Sequence, residues 1–187
     1  ALYGQKVCAD AKNCHSYTND ASILLPSTAL KNDYIVISRQ TFSDSNGLSA
    51  GTALPGFTTI VATQDNTNVM VISSANTEAG TGVKALTPGG SQSFLLNQGD
   101  VLQLVSKRVT SPCAAMSSDA QGYKYCDSGP KYDLTGTKIS ADKPVEVFGG
   151  HSCSFVPYNK WACDHLEEQM TPVDTWGQKI LMAPTRP

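Results

Sequence analysis

Along this chain, short runs of β-branched and aromatic residues alternate with polar positions, and Gly, Pro, Asn and Asp punctuate them. Alternation with a period of two predicts strands, because successive strand side chains point to opposite faces. A short apolar run, Ser22–Leu25, ends at Pro26, and Asp33–Ser38 (DYIVIS) predicts the next strand. Residues 43–56 are loop by composition, with Asn46-Gly47 as a turn signal. Phe57–Thr63 and Val69–Ser73 predict two strands, and Gln64–Asn68 predicts a hairpin connection that pairs them. After a Thr-, Gly- and Pro-rich loop over 75–90, Ser91–Leu96 and Val101–Ser106 flank Asn97–Asp100, a second predicted hairpin. Residues 110–130 form a polar excursion carrying two cysteines. Gly136–Ser140 and Val145–Gly149 predict two short strands with Asp142-Lys143-Pro144 as the turn between them.

One segment breaks the rhythm. Asp164–Met170 (DHLEEQM) predicts the chain's single short helix. Asp164 can cap it, Glu167 completes a capping box, and Pro172 stops it. The predicted fold is therefore all-β: an antiparallel β-sandwich, jelly-roll-like, with long loops and one short helix.

A length of 187 residues suits one β-sandwich-type domain over 1–187, or two closely packed β-subdomains. Only 16% of residues are charged, so the surface relies on Ser, Thr, Asn and Gln, as in many extracellular β-proteins. The net charge of −2 and the lack of any Lys/Arg run argue against nucleic acid as a partner. No signal peptide, lipidation motif or membrane-spanning stretch is visible, so this chain is not expected to cross a membrane.

Six cysteines fall into close pairs: Cys8 and Cys14, Cys113 and Cys126, Cys153 and Cys163. None has the C-x-x-C spacing of a redox motif or zinc knuckle. An even count in such a chain predicts three disulfides and an oxidising, extracellular or cell-surface setting. Sequence leaves the connectivity open. Nearest-neighbour pairing is the expectation, because each pair brackets a loop-like stretch.

The tightest chemical constellation is His151, Cys153, Cys163, Asp164, His165 and Glu168. A helix would put His165 and Glu168 on one face, and a Cys153–Cys163 bond would bring His151 near them. Two imidazoles and a carboxylate could then hold a divalent ion. The competing expectation is structural: both histidines fill hydrogen-bond slots in a disulfide-stapled cap over 149–177. That reading assigns no catalytic residue, metal or cofactor. A nucleophilic Cys153 would need a free thiolate, which cysteine pairing opposes. Asp65–Asn68 has part of a calcium-loop pattern but reads as a turn. Phe155, Tyr158 and Trp161 on the stapled loop are candidate ligand contacts, or the packing of a small lobe.

Gly150, His151 and Cys153, then Val156-Pro157, Cys163-Asp164-His165-Leu166, Glu168-Gln169 and Pro172 with Trp176-Gly177, form a distinctive series. It resembles the signature of the IgGFc-binding protein amino-terminal domain family. Leu25-Pro26 with Asp33–Val36, Ile60–Thr63 with Asp65-Asn66-Thr67, Leu134-Thr135-Gly136 and Pro144–Val147 are similar to it more loosely. The resemblance spans residues 22–187 and is weakest over 75–130. It implies a secreted or surface-attached β-domain cut from a larger protein, with a bacterial surface protein as the expected source. The function expected is a non-enzymatic cell-surface binding or adhesion module that recognises a protein or glycan through the loops 43–56, 75–90 and 110–130, since loops at the ends of a β-sandwich carry recognition. Two alternatives stand beside it: a metal-dependent enzyme or metal-binding domain using His151, His165 and Glu168, and a structural spacer in a long surface protein. The resemblance supplies no residue-level antibody-binding motif.

Overall fold

β1 (Gln5–Cys8) and β2 (Cys14–Tyr17) form an antiparallel pair of their own. They are followed by β3 (Lys31–Ile35), β4 (Phe42–Asp44), β5 (Ala53–Leu54), β6 (Gly56–Ala62) and β7 (Thr67–Ile72). Next come β8 (Ser91–Leu96), β9 (Val101–Val105), β10 (Met116–Ser118), β11 (Lys124–Asp127), β12 (Lys138–Phe155) and β13 (Cys163–Gln169). This is a computed structural model, and it describes residues 5–8, 14–17, 22–44, 53–109, 116–118, 124–155 and 163–179. Within them every ladder is antiparallel, and the helical content is confined to 3-10 turns, as at Ser27–Ala29. The all-β expectation holds.

One curled sheet carries the core. Its organiser is β12, which the sequence split into two strands with a turn. The strand is continuous but bends at Asp142-Lys143-Pro144, where its register with β3 shifts between Ser140 and Val145. Pro144 lacks an N–H, so a bend is a place where a strand can accept it. Before the bend β12 pairs with β7 and β3; after it, with β6 and β13. The path β8-β7-β12-β6-β9 thus curls so that both halves face one core. Val69, Val71 and Ile139 from one half meet Ile60, Leu102, Leu104, Val145 and Val147 from the other. A smaller sheet, β10-β11-β4-β5, draws strands from stretches read as loop and as polar excursion.

The two predicted hairpins do not form. β6 pairs with β12 and β9 but not β7; β8 pairs with β7 but not β9. The Asn97–Asp100 turn explains the second case. Gly99 has φ +85° while Gln98 is not in the left-handed region, a type II pattern that splays the flanking strands. Both connections are corners of the curl, and they brace one another. Gln98 N–H donates to Asp65 Oδ1 at 3.0 Å, and Asn68 donates from backbone and side chain to Asp142 at 2.8 and 2.7 Å. Those bonds, side chain first, hold the Asp142 carboxyl below the usual carboxylate range. Asn66 adopts φ +54° and Thr67 Oγ1 donates to the Gln64 carbonyl, so the calcium-like stretch serves as a turn.

The predicted helix at Asp164–Met170 is also overturned. Residues Cys163–Gln169 are β13, laid antiparallel along β12 with Gly150 opposite Glu167 and His151 opposite Leu166. A capping box adds about 1 kcal/mol, and a seven-residue helix is too short to stand on that in water. The open edge of β12 offers a full ladder instead, so tertiary pairing wins over local propensity.

Candidate functional site

The expected site centres on the end of β12, at Gly149-Gly150-His151. The inner face there is approached most closely by main-chain atoms, with the Val36 and Ser38 side chains beside them. It is covered by the backbone of the stretch after β3. A Cβ on Gly149 would sit 2.1 Å from the Ile37 carbonyl oxygen, and one on Gly56 would sit 2.3 Å from that of Arg39. Glycine at both places lets this crossing segment lie directly on the sheet. Its polar groups are then satisfied locally: Ser38 Oγ donates to the Gly150 carbonyl at 2.7 Å, and Thr41 Oγ1 meets Ser106 Oγ at 2.8 Å.

His151 is fully buried in this seam. Its Nδ1 accepts the Cys153 N–H at 3.0 Å, which leaves the proton on Nε2, and Nε2–H donates to the Gln40 carbonyl at 3.0 Å. Burial drives its pKa down to about 4, against the opposing pull of the Gln40 hydrogen bond. The ring is therefore neutral at pH 7, and both nitrogens are used. The Cys153 amide it holds lies in a bulge where β12 and β13 lose register between His151 and Ser154.

His165 lies on the opposite face. Cross-strand partners share a face, so Leu166 goes with His151, and its neighbour His165 points the other way. There it stacks on Phe57, with ring centroids 5.8 Å apart and planes at 23°, and its Nε2 lies 3.3 Å from Glu167 Oε2. Glu168 is exposed, three residues from His165 and so on the other face of the strand. The ligand set His151, His165 and Glu168 is therefore split by the sheet. Among the described residues no three His, Cys, Asp or Glu side chains cluster as a metal set. The melting temperature is expected to be the same with and without EDTA. A fall of several degrees in EDTA, reversed by zinc, would contradict this geometry, because a bound ion stabilises only the folded chain.

Cys153 is disulfide-bonded, and no cysteine among the described residues is free. Cys8 and Cys14 are paired in the backbone register of β1 and β2, as Cys163 and Phe155 are in that of β13 and β12. Cys113, Tyr158 and Trp161 lie outside the described residues, as does the side chain of Phe155. The contacts the sequence did not reveal are Phe57 beneath His165, Glu167 beside it, and the Gln40 carbonyl on His151. Their sequence separations hide them; only the Gly149-Gly150 doublet signals close backbone approach.

The architecture defines a class first: a disulfide-bearing, all-β domain built on one curled antiparallel sheet. Within that class the chain belongs to the IgGFc binding protein family, whose profile matches residues 20–187. It is 37% identical over 57 residues to the human IgGFc-binding protein, a stretch covering 30% of this chain and 1% of that relative. The expectation of a bacterial source finds no support in that human match. No solved structure matches the chain. Among the described residues no helix is long and apolar enough to cross a membrane.

Proposed function

We propose that this chain is an extracellular protein-binding module whose ligand is the Fc region of immunoglobulin G. The family match over 20–187 carries the reading, and the human relative's name supplies the ligand. The domain binds through its surface and performs no chemistry; presented at a cell surface, it would serve adhesion. Its His151 is engaged in holding the fold, and its His165 is stacked on Phe57, which supports a structural rather than a catalytic role for both. Purified domain on an array carrying Fc fragments, Fab fragments and glycans is expected to give signal on the Fc spots. Signal on glycans alone, or none on Fc, would overturn the reading.

The disulfides we propose are Cys8–Cys14, Cys113–Cys126 and Cys153–Cys163. Register supports the first: directly paired antiparallel residues have Cα atoms about 4.5–5.5 Å apart, within disulfide range. Thiol titration of denatured, unreduced protein is expected to find no free thiol. Two or more would contradict an oxidised, extracellular domain.

A further inference from the structure

The unpaired strands β8 and β9 leave a groove of about 480 Å³ between them. Asp100, whose N–H donates to the Asn97 carbonyl at 2.9 Å in the turn between the strands, lines it. The loop residues Thr81–Val83 also line it. The floor is apolar, formed by Val83, Phe94, Leu96 and Leu102, all packed on the main core. The rim carries Leu95 and Val101, which are 62% and 63% exposed. Leu95 and Val101 thus stand open on the two sides of a groove whose floor is apolar and whose lining as a whole is about equally polar and apolar.

The walls have a second property. The Val105 carbonyl accepts from Glu78 N–H on the side of β9 away from β6, and the Asp100 carbonyl accepts from Ala62 N–H on the β6 side. Peptide groups alternate sides along a strand, so those of Val101 and Gln103 face outward, with no ladder partner among the described residues. On β8 the Gly90 carbonyl accepts from Ser73 N–H on the β7 side, which sends the peptide groups of Ser93 and Leu95 outward in the same way. Edge donors and acceptors therefore flank an apolar floor from both sides. Among the described lining residues the Asp100 carboxylate, which accepts the Asn97 N–H at 2.8 Å, is the one formal charge. It selects against an acidic occupant and accepts a neutral or basic one.

We infer that this groove receives an apolar side chain of a partner protein, with the flanking peptide groups of the partner bonded to the outward backbone of β8 and β9. The inference deepens the protein-binding reading above and rests on it. A glycan fits less well, because Phe94, the aromatic ring of the floor, is partly buried.

Amide chemical shifts of labelled domain, titrated with N-acetyl-leucine methylamide, test it without any assumption about Fc. Shifts are expected to concentrate at Ser93, Leu95, Val101 and Gln103, and N-acetyl-glycine methylamide is expected to leave them in place. Leu95→Asp and Val101→Asp change exposed side chains, so the rest of the spectrum should persist while the leucine response weakens at least about fivefold. Four outcomes would overturn the inference: no clustered shift, an equal response to the glycine probe, a response to methyl N-acetylglucosaminide alone, or concentration-dependent shifts at the groove without probe, which would mark a second copy as occupant. Fc binding that survives both variants would place the Fc contact elsewhere and overturn the groove as its seat. A leucine response in a domain that ignores Fc would overturn the Fc assignment and leave the groove intact.

Discussion

Gly149→Ala is expected to destabilise the domain by about 3 kcal/mol or more, enough to stop it accumulating as folded protein. The added methyl would meet the Ile37 carbonyl at 2.1 Å, where no real Cβ approaches backbone. That carbonyl cannot simply step aside. Val36 N–H is bonded to the Thr137 carbonyl at 2.9 Å and Ser38 N–H to Thr135 Oγ1 at 3.0 Å, so the residues on either side are pinned. Relief would require lifting the crossing segment off the sheet, which would uncover Gly56 and His151 and break the Ser38–Gly150 bond. Gly80→Ala is the control: its Cβ would find one neighbour, at 4.0 Å, and the change should stay within about 0.5 kcal/mol. Urea unfolding of both variants makes the comparison. Equal midpoints would mean that the crossing segment is not seated as described.

The second large effect comes with acid. His151 ionises at about 4 in the folded chain, and at about 6.5 when unfolding exposes it. Burial is the main cause. Arg39 pushes in the same direction, whereas the Gln40 carbonyl and Asp133 oppose it. A depressed folded pKa means that the unfolded chain takes up the proton first. The contribution is therefore whole above pH 6.5 and is lost as pH falls toward 4, for a total of about 3 kcal/mol. His151→Gln removes this titration. The variant should be weaker than the parent at pH 7 and should approach it near pH 4, so the difference between the two isolates His151 from the carboxylates. A gap that stays constant from pH 7 to 4 would show that the ring is not buried and neutral.

The strands are legible because β-branched residues recur along them, as at Thr58 and Ile60 or Val69 and Val71, and alternation survives any topology. Pairing was not legible. A turn such as Asn97–Asp100 has the composition of a hairpin, and only its backbone dihedrals decide whether the strands stay together. Asp142-Lys143-Pro144 looks like a chain reversal, yet it is a bend inside one strand whose two halves have different partners. The helix expected at Asp164–Met170 failed for a related reason. Capping signals are local, whereas the edge of β12 that recruits β13 is not visible from those seven residues. At the candidate site the motif residues were found, but their grouping was wrong. A strand separates His165 from Glu168 where a helix would have joined them. The register across β12 then sends the two histidines to opposite faces.

The most direct test of the central claim, protein recognition by a metal-free β-domain, is surface plasmon resonance of the oxidised domain on immobilised immunoglobulin G Fc. Native Fc and enzymatically deglycosylated Fc should be compared, each with and without EDTA. The account predicts saturable binding of equal affinity in all four conditions. Binding confined to glycosylated Fc, binding lost on chelation, or no saturable binding to Fc would contradict it.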